Sequence, residues 1–402
     1  MSLDVARLRA GFPSLASGIA HFDGPGGTQT PSVVGQAIAD TLTGPLSNRG
    51  TSVASEQRAE DAVAAFRSAA ADLLGADPRG IVFGRSATQL SYDFSKHLSR
   101  DWGPGNEVVV TRLDHDSNVR PWVQAAERTG ATVRWIEIDP ATAELDLSTL
   151  DDVVTERTRL VAVTAASNLL GTVPPVRTVA DRAHAVGALV YVDGVHYTAH
   201  RTVDVAALGA DFFACSPYKF LGPHCGILAA SPELLESIRP DKLLPSTNVV
   251  PERFEFGTLP YEIMAGATAA INALAAIDPG SATTRREQLI ASAASVHDRE
   301  ITLRSRIEQA LAELGPLVEL HSRASDRTAT LFMTFSGRSS VDAAAFLAQR
   351  DVLAPAGSFY AIEPFIALAL ADDAGLRVGV APYTSDDDVD RLLDGLREFL
   401  AS

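Results

Sequence analysis

The stretch ALVYVDGVHYTAHRTVDVAALGADFFACSPYKFLGPHCGILAA, residues 188–230, decides the fold. It holds three short apolar runs, ALVYVD (188–193), DFFAC (211–215) and GILAA (226–230), with little polar alternation. Such runs suit strands buried on both faces of a mainly parallel sheet. The first closes on Asp193, and the second is followed by Lys219, set between Tyr218 and Phe220 and ahead of Gly222 and Pro223. A carboxylate at the end of a buried strand is costly unless a cation meets it. A lysine among aromatics on a tight loop is equally out of place unless it has work to do.

The same pattern extends upstream. IVFG (81–84), EVVVT (107–111), TVRWIEI (132–138) and RLVAVTAAS (159–167) bring the apolar runs to seven. Helical stretches such as 118–130 and 176–187 separate them, each ending at a glycine. The expectation is an α/β fold with a mainly parallel seven-stranded sheet and helices on both faces. Ala59, Val63, Phe66, Ala70 and Leu73 repeat at helical spacing across 55–75, and 261–277 reads as a buried helix. Beyond DPGSATT (278–284) the pattern changes to a long polar-rich helix over 283–313, a strand at 328–336, a helix near 341–350, a strand within 375–382 and a last helix at 386–401. The division expected is a large domain over 20–280 and a smaller α+β domain over 281–402, with residues 1–19 packing on the latter.

The 402 residues carry 34 basic and 50 acidic side chains, a net charge of −16, which argues against nucleic acid or an anionic membrane as partner. With 46% hydrophobic residues a large core can form, and no run approaches the length of a membrane span. Cys215 and Cys225 are the only cysteines and make no disulfide framework. A soluble, cytoplasmic protein is expected.

In open α/β sheets ligands bind beyond the carboxyl ends of the strands. Taken singly, Asp193 reads as a cap or a structural ion pair, and Lys219 as a snorkelling surface lysine. Together they suit pyridoxal phosphate: the lysine forms the Schiff base and the carboxylate keeps the pyridine nitrogen protonated. An amine partly desolvated among aromatics also becomes a usable nucleophile and base. After IVFG, Arg85, Ser86, Ala87 and Thr88 lead into a helix whose first N–H groups can receive a phosphate. GPGG (24–27) and GPG (103–105) lack the spacing and context of a dinucleotide fingerprint and read as turns. His196 and His200 stand four apart but lack an H-E-x-x-H pattern, so no metal is expected.

From HFDGPGGTQTP (21–31) to LRVGVAPYTSDDDVDRLLDGL (376–396) the chain resembles the class V aminotransferase group of fold-type I pyridoxal phosphate enzymes, most closely its cysteine desulfurase and selenocysteine lyase branch. The resemblance implies that Lys219 bears the cofactor and Asp193 partners its ring nitrogen. It implies that His115, in LDHDSN, stacks on the ring and that Asn168, in SNLLGT, lies by the ring hydroxyl. His196 occupies a position near the cofactor that is often glutamine, and Tyr218 one that is usually histidine. Ala87, Thr88 and Ser216 match phosphate contacts. Thr258, in RFEFGT, matches a threonine reaching the neighbouring subunit's cofactor, which implies a homodimer. Arg377 matches the arginine that clamps the substrate carboxylate, a task suited to a bidentate guanidinium.

One departure bears on the reaction. In APAGSFYA (354–361) the position where desulfurases carry a persulfide-forming cysteine falls on Tyr360. A persulfide needs a thiolate, which tyrosine cannot supply. Tyr360 is instead a candidate proton donor or packing aromatic of a substrate lid. The expectation is therefore a lyase or transferase acting on a small α-amino acid through an external aldimine and Cα deprotonation by Lys219, with β-elimination ahead of transamination and epimerisation. The non-enzyme rival is a silent binding partner of the same fold. Intact Lys219, Asp193, His115 and Arg377 argue against it.

Overall fold

The computed structural model describes residues 3–370 and 374–402. Its main sheet has seven strands: β1 (Ile81–Gly84), β2 (Glu107–Thr111), β3 (Thr132–Ile136), β4 (Thr158–Thr164), β5 (Leu189–Asp193), β6 (Phe212–Cys215) and β7 (Gly226–Ala230). Their order across the sheet is β1-β7-β6-β5-β4-β2-β3. All pairings from β3 to β6 are parallel, and β7 runs antiparallel to both its neighbours. All seven expected strands are present; those expected over 132–138 and 159–167 end early, at Ile136 and Thr164.

Continuous apolar runs arise because both faces are covered. Val109, Val161, Val163, Val190, Val192 and Phe213 enter one buried cluster, while Val108, Val110, Leu160, Ala162, Tyr191 and Phe212 enter another. Neighbouring residues of one strand point to opposite faces, so alternation moves from polar-apolar to one core or the other. Helix Ala54–Leu74 buries Val63, Phe66, Ala70 and Leu73 as its spacing predicts and stops at Gly75, whose left-handed φ of 65° ends the turn.

The C-terminal part forms a second sheet of β8 (Val318–Leu320), β9 (Thr330–Phe335), β10 (Ala356–Gly357) and β11 (Gly375–Gly379), ordered β8-β9-β11-β10 and antiparallel throughout. The short β8 and β10 are too brief to carry a readable period. Helix Arg285–Glu313 begins at a capping box of Thr284 and Glu287. It sends Leu289 into the core of the large sheet and Leu303, Ile307 and Leu311 into the second core. The last helix, Asp386–Ala401, has its three acids in the first turn, where the helix dipole favours them. Near the N-terminus, Ala20 and His21 pair with Val352 and Leu353, Arg9 binds Asp388 at 2.7 Å, and Phe12 packs on Tyr383. The division at 280/281 remains our proposal. Among the described residues no helix is long and apolar enough to cross a membrane.

Candidate active site

The carboxyl ends of β4, β5 and β6 open into a chamber lined by Thr88, His115, Asn168, Asp193, His196 and Lys219, with Ala87, Ser216 and Tyr218 completing it. A second, outer chamber shares His115, Asn168, Tyr218 and Lys219 and adds Arg377, Phe359 and Tyr360. Residues scattered from 87 to 377 thus meet in one cleft.

Asp193 is the last residue of β5, buried, with Val195 N–H donating to its Oδ1 at 2.9 Å. Burial pushes its carboxyl up to about 6, with Lys219 pulling the other way. Lys219 ends a short turn, Pro217–Lys219, beyond β6. Its Nζ donates to the Pro25 carbonyl and, at 3.1 Å, to that of Gly26. The GPGG turn is a turn, as expected, but its carbonyls face the amine; sequence spacing gave no sign of that. A Cβ on Gly27 would stand 3.3 Å from the Tyr218 ring, a tight contact that would make the ring give by a few tenths of an ångström. Burial, and after it the Arg377 charge, bring the lysine down to about 7, opposed by Asp193 and Asp23. At that value a substantial fraction of the amine is neutral near neutral pH, as a nucleophile must be.

His115 follows β2. Ser117 N–H donates to its Nδ1 at 3.0 Å, which leaves the ring proton on Nε2. Burial holds the imidazole down to about 4, so it is neutral. Beside it, fully buried Asp114 accepts from Thr111 Oγ1 and from Asn118 Nδ2 at 2.6 Å, and burial raises it to about 8. Asp114 is a residue that sequence reasoning passed over, although it stands inside the quoted LDHDSN.

Ser86 caps helix Ala87–Leu98, its Oγ accepting from Gln89 N–H at 3.0 Å. That leaves the first-turn N–H groups of Ala87 and Thr88 directed at the chamber end of the helix. A Cβ on Gly226 would lie 2.5 Å from the Ser86 carbonyl carbon, so glycine keeps this cradle open. Asn168 Nδ2 donates to the Phe359 carbonyl at 3.0 Å, while its Oδ1 is buried without a partner.

Arg377, on β11, is buried and donates from Nη1 to the Asn168 carbonyl at 3.1 Å. Its Nε is buried with no partner. Burial brings it down to about 9, so it stays cationic at neutral pH. Phe359 and Tyr360 are both left-handed, at φ 54° and 56°, an uncommon conformation for aromatic residues. Tyr360 is 74% exposed, and its ring centroid lies 5.6 Å from that of His115.

Two sets of residues lie outside the cleft. Thr258 lines a separate pocket with Arg85 and Gln89 and borders neither chamber. Cys215 and Cys225 are buried, line neither chamber, and burial pushes both thiols up, Cys225 to about 12.

The donor set fits pyridoxal phosphate. A buried carboxylate, an unpartnered amide oxygen, the first residues of a capped helix and an amine all line one chamber. Comparison with known proteins agrees. Residues 20–392 match the family model described as aminotransferase class-V. The chain is 31% identical to a probable cysteine desulfurase of Mycobacterium leprae over 98% of this chain and 96% of that one. It is 29% identical to a cysteine desulfurase of Pectobacterium carotovorum, covering 99% and 98%. The solved structure of an Escherichia coli cysteine desulfurase in its S-sulfonic acid form superposes with a TM-score of 0.87 at 26% identity, covering 100% and 99%. The chain belongs to the class-V aminotransferases, enzymes that use pyridoxal phosphate.

Proposed function

We propose that the protein is a pyridoxal-phosphate-dependent lyase that eliminates a leaving group from Cβ of a small α-amino acid without forming a cysteine persulfide. One observation carries the reading. Lys219, Asp193 and Arg377 share one cleft, yet position 360 is tyrosine and both thiols lie buried outside that cleft.

When bound, pyridoxal phosphate supplies an aldehyde that takes up the substrate amine and a ring that accepts the electron pair left at Cα. Asp193 would hold the ring nitrogen, Asn168 and His196 the ring hydroxyl, and His115 a ring face. The N–H groups of Ala87 and Thr88 and the Ser216 hydroxyl would hold the phosphate. The buried Arg377 fork, with Nε unpartnered, receives the substrate carboxylate and fixes the orientation of Cα. Lys219 would take the Cα proton, a role its lowered pKa permits. Phe359 and Tyr360 cover the cleft and exclude water.

The same reading places the protein in the cytoplasm as a homodimer in which Thr258 serves the neighbouring subunit's cofactor. Exposed Leu243, Leu244, Val249 and Phe256, near Thr258 in sequence, support a covered face there.

The test is a panel of amino acids incubated with the loaded enzyme. For cysteine, elimination balances as cysteine plus water giving pyruvate, ammonia and hydrogen sulfide. Alanine accompanied by sulfur carried on the protein overturns the proposal. A keto acid formed with consumption of an amino acceptor points to transamination, and inversion at Cα without loss of substrate points to epimerisation.

A further inference from the structure

Behind the cleft, His196 is the inner end of a buried polar chain whose other members, His200 and Glu300, the proposed chemistry leaves unused. His196, His200 and Glu300 are 3%, 5% and 1% exposed. His200 Nδ1 lies 2.8 Å from Glu300 Oε2, a hydrogen bond that fixes the His200 ring. The His200 ring meets that of His196 edge to face, with centroids 4.7 Å apart and planes at 64°. On its other side His196 Nε2 stands 3.0 Å from both Thr328 Oγ1 and Thr330 Oγ1. Nδ1 is then the polar atom that His196 has left for the chamber it lines.

The elements that grip His196 come from the C-terminal part of the chain. Glu300 belongs to helix Arg285–Glu313, whose Leu303 and Ile307 pack in the second core. Thr330 begins β9, and Arg304 of the same helix donates to the carbonyls of Arg327 and Thr328 at 2.8 and 3.1 Å. A buried carboxylate with one oxygen unpartnered, as Glu300 Oε1 is, would cost folding free energy. Its placement makes sense if it orders something of use.

We propose that Glu300 and His200 are positioning residues which, with Thr328 and Thr330, hold the His196 ring in register with the cofactor, so that the C-terminal domain sets the cofactor's environment through His196. His196 is kept neutral, because burial opposes a second proton and the charges of Lys219 and Arg377 add to it. A neutral, rigidly held imidazole presents one defined nitrogen to the ring, whereas a loose one would exchange tautomers.

The test uses the purified holoenzyme. Glu300→Gln keeps the shape and removes the charge. The expected result is a folded protein whose visible cofactor band is displaced and whose cofactor is released at about tenfold lower dilution, as when a hydrogen bond loses its charged acceptor. Thr330→Val should act in the same direction. His196→Gln should produce the same displacement, and adding Glu300→Gln to it should change nothing further. An unchanged band and cofactor affinity in Glu300→Gln overturns the proposal. So does an effect that persists in full when His196 is already glutamine. If Glu300→Gln does not fold, Thr330→Val and its cycle with His196→Gln decide by the same two criteria. The proposal rests on the cofactor occupying the Lys219 chamber, which Lys219→Ala tests separately. Loss of the visible band there, with no effect of Glu300→Gln, overturns the positioning role alone.

Discussion

The guanidinium of Arg377 lies 3.7 Å above the ring of Phe359. The contact screens one face of the cation from water, and its Nε is buried without a partner. Phe359 and its neighbour Tyr360 both adopt left-handed backbone, which aims one ring at Arg377 and the other at His115. One strained pair of residues therefore touches both the candidate carboxylate clamp and the candidate ring-stacking histidine.

Replacing Arg377 by lysine should raise KM far more than it lowers kcat. A lysine keeps the charge but loses the planar fork. Losing a charge-assisted pair costs about 1.5–3 kcal/mol, roughly 10- to 100-fold in kcat/KM. Steady-state kinetics on the best substrate of the panel checks it, and an unchanged KM would remove Arg377 from the carboxylate site.

Loading of cofactor-free protein with pyridoxal phosphate should speed up as pH rises through about 7, the value to which burial and Arg377 bring Lys219. Only the neutral amine attacks an aldehyde. A lowered pKa places that form at lower pH than the ordinary 10.5. Arg377→Met removes a repelling charge and should move the midpoint upward. Stopped-flow absorbance measures both. Borohydride reduction and peptide mapping should then find the pyridoxyl group on Lys219, and a label on another lysine would refute its role.

Asp193→Asn should still bind cofactor but lose about a hundredfold or more in kcat. The amide cannot favour a protonated ring nitrogen, whereas the native carboxylate, raised to about 6 by burial, gains its charge when a cation faces it. Near-normal turnover in this variant would mean that the ring is not the electron sink.

A Cys215→Ala, Cys225→Ala double variant should keep kcat within about twofold and lose only a few degrees in Tm, the packing cost of two small cavities. Both thiols are buried and held protonated. A folded, cofactor-loaded variant without turnover would make one of them catalytic.

Tyr360→Phe separates proton donation from lid packing. A chemical role for the phenol predicts a fall in kcat of about 100-fold with little change in KM. A packing role predicts almost none, because the ring against His115 is kept.

The sequence by itself determined the sheet and most of the chamber. Strands buried on both faces write continuous apolar runs, and in such a sheet the residues just past each run converge, so Asp193, Lys219 and Thr88 stand out from local order, whereas His115 and Asn168 came only with the family resemblance. Only the tertiary structure decided what those residues touch. The partners of Lys219 are carbonyls 194 and 193 positions away, those of His196 are hydroxyls 132 and 134 away, and His200 meets Glu300 across 100. A backbone carbonyl carries no mark of its residue type, and a glutamate within a polar-rich helix looks like any solvated one until packing buries it. The separation of Thr258 and both cysteines from the cleft has the same cause: sequence distance does not fix which face of a packed element a side chain meets, and the way the helices and the second sheet close over the first does.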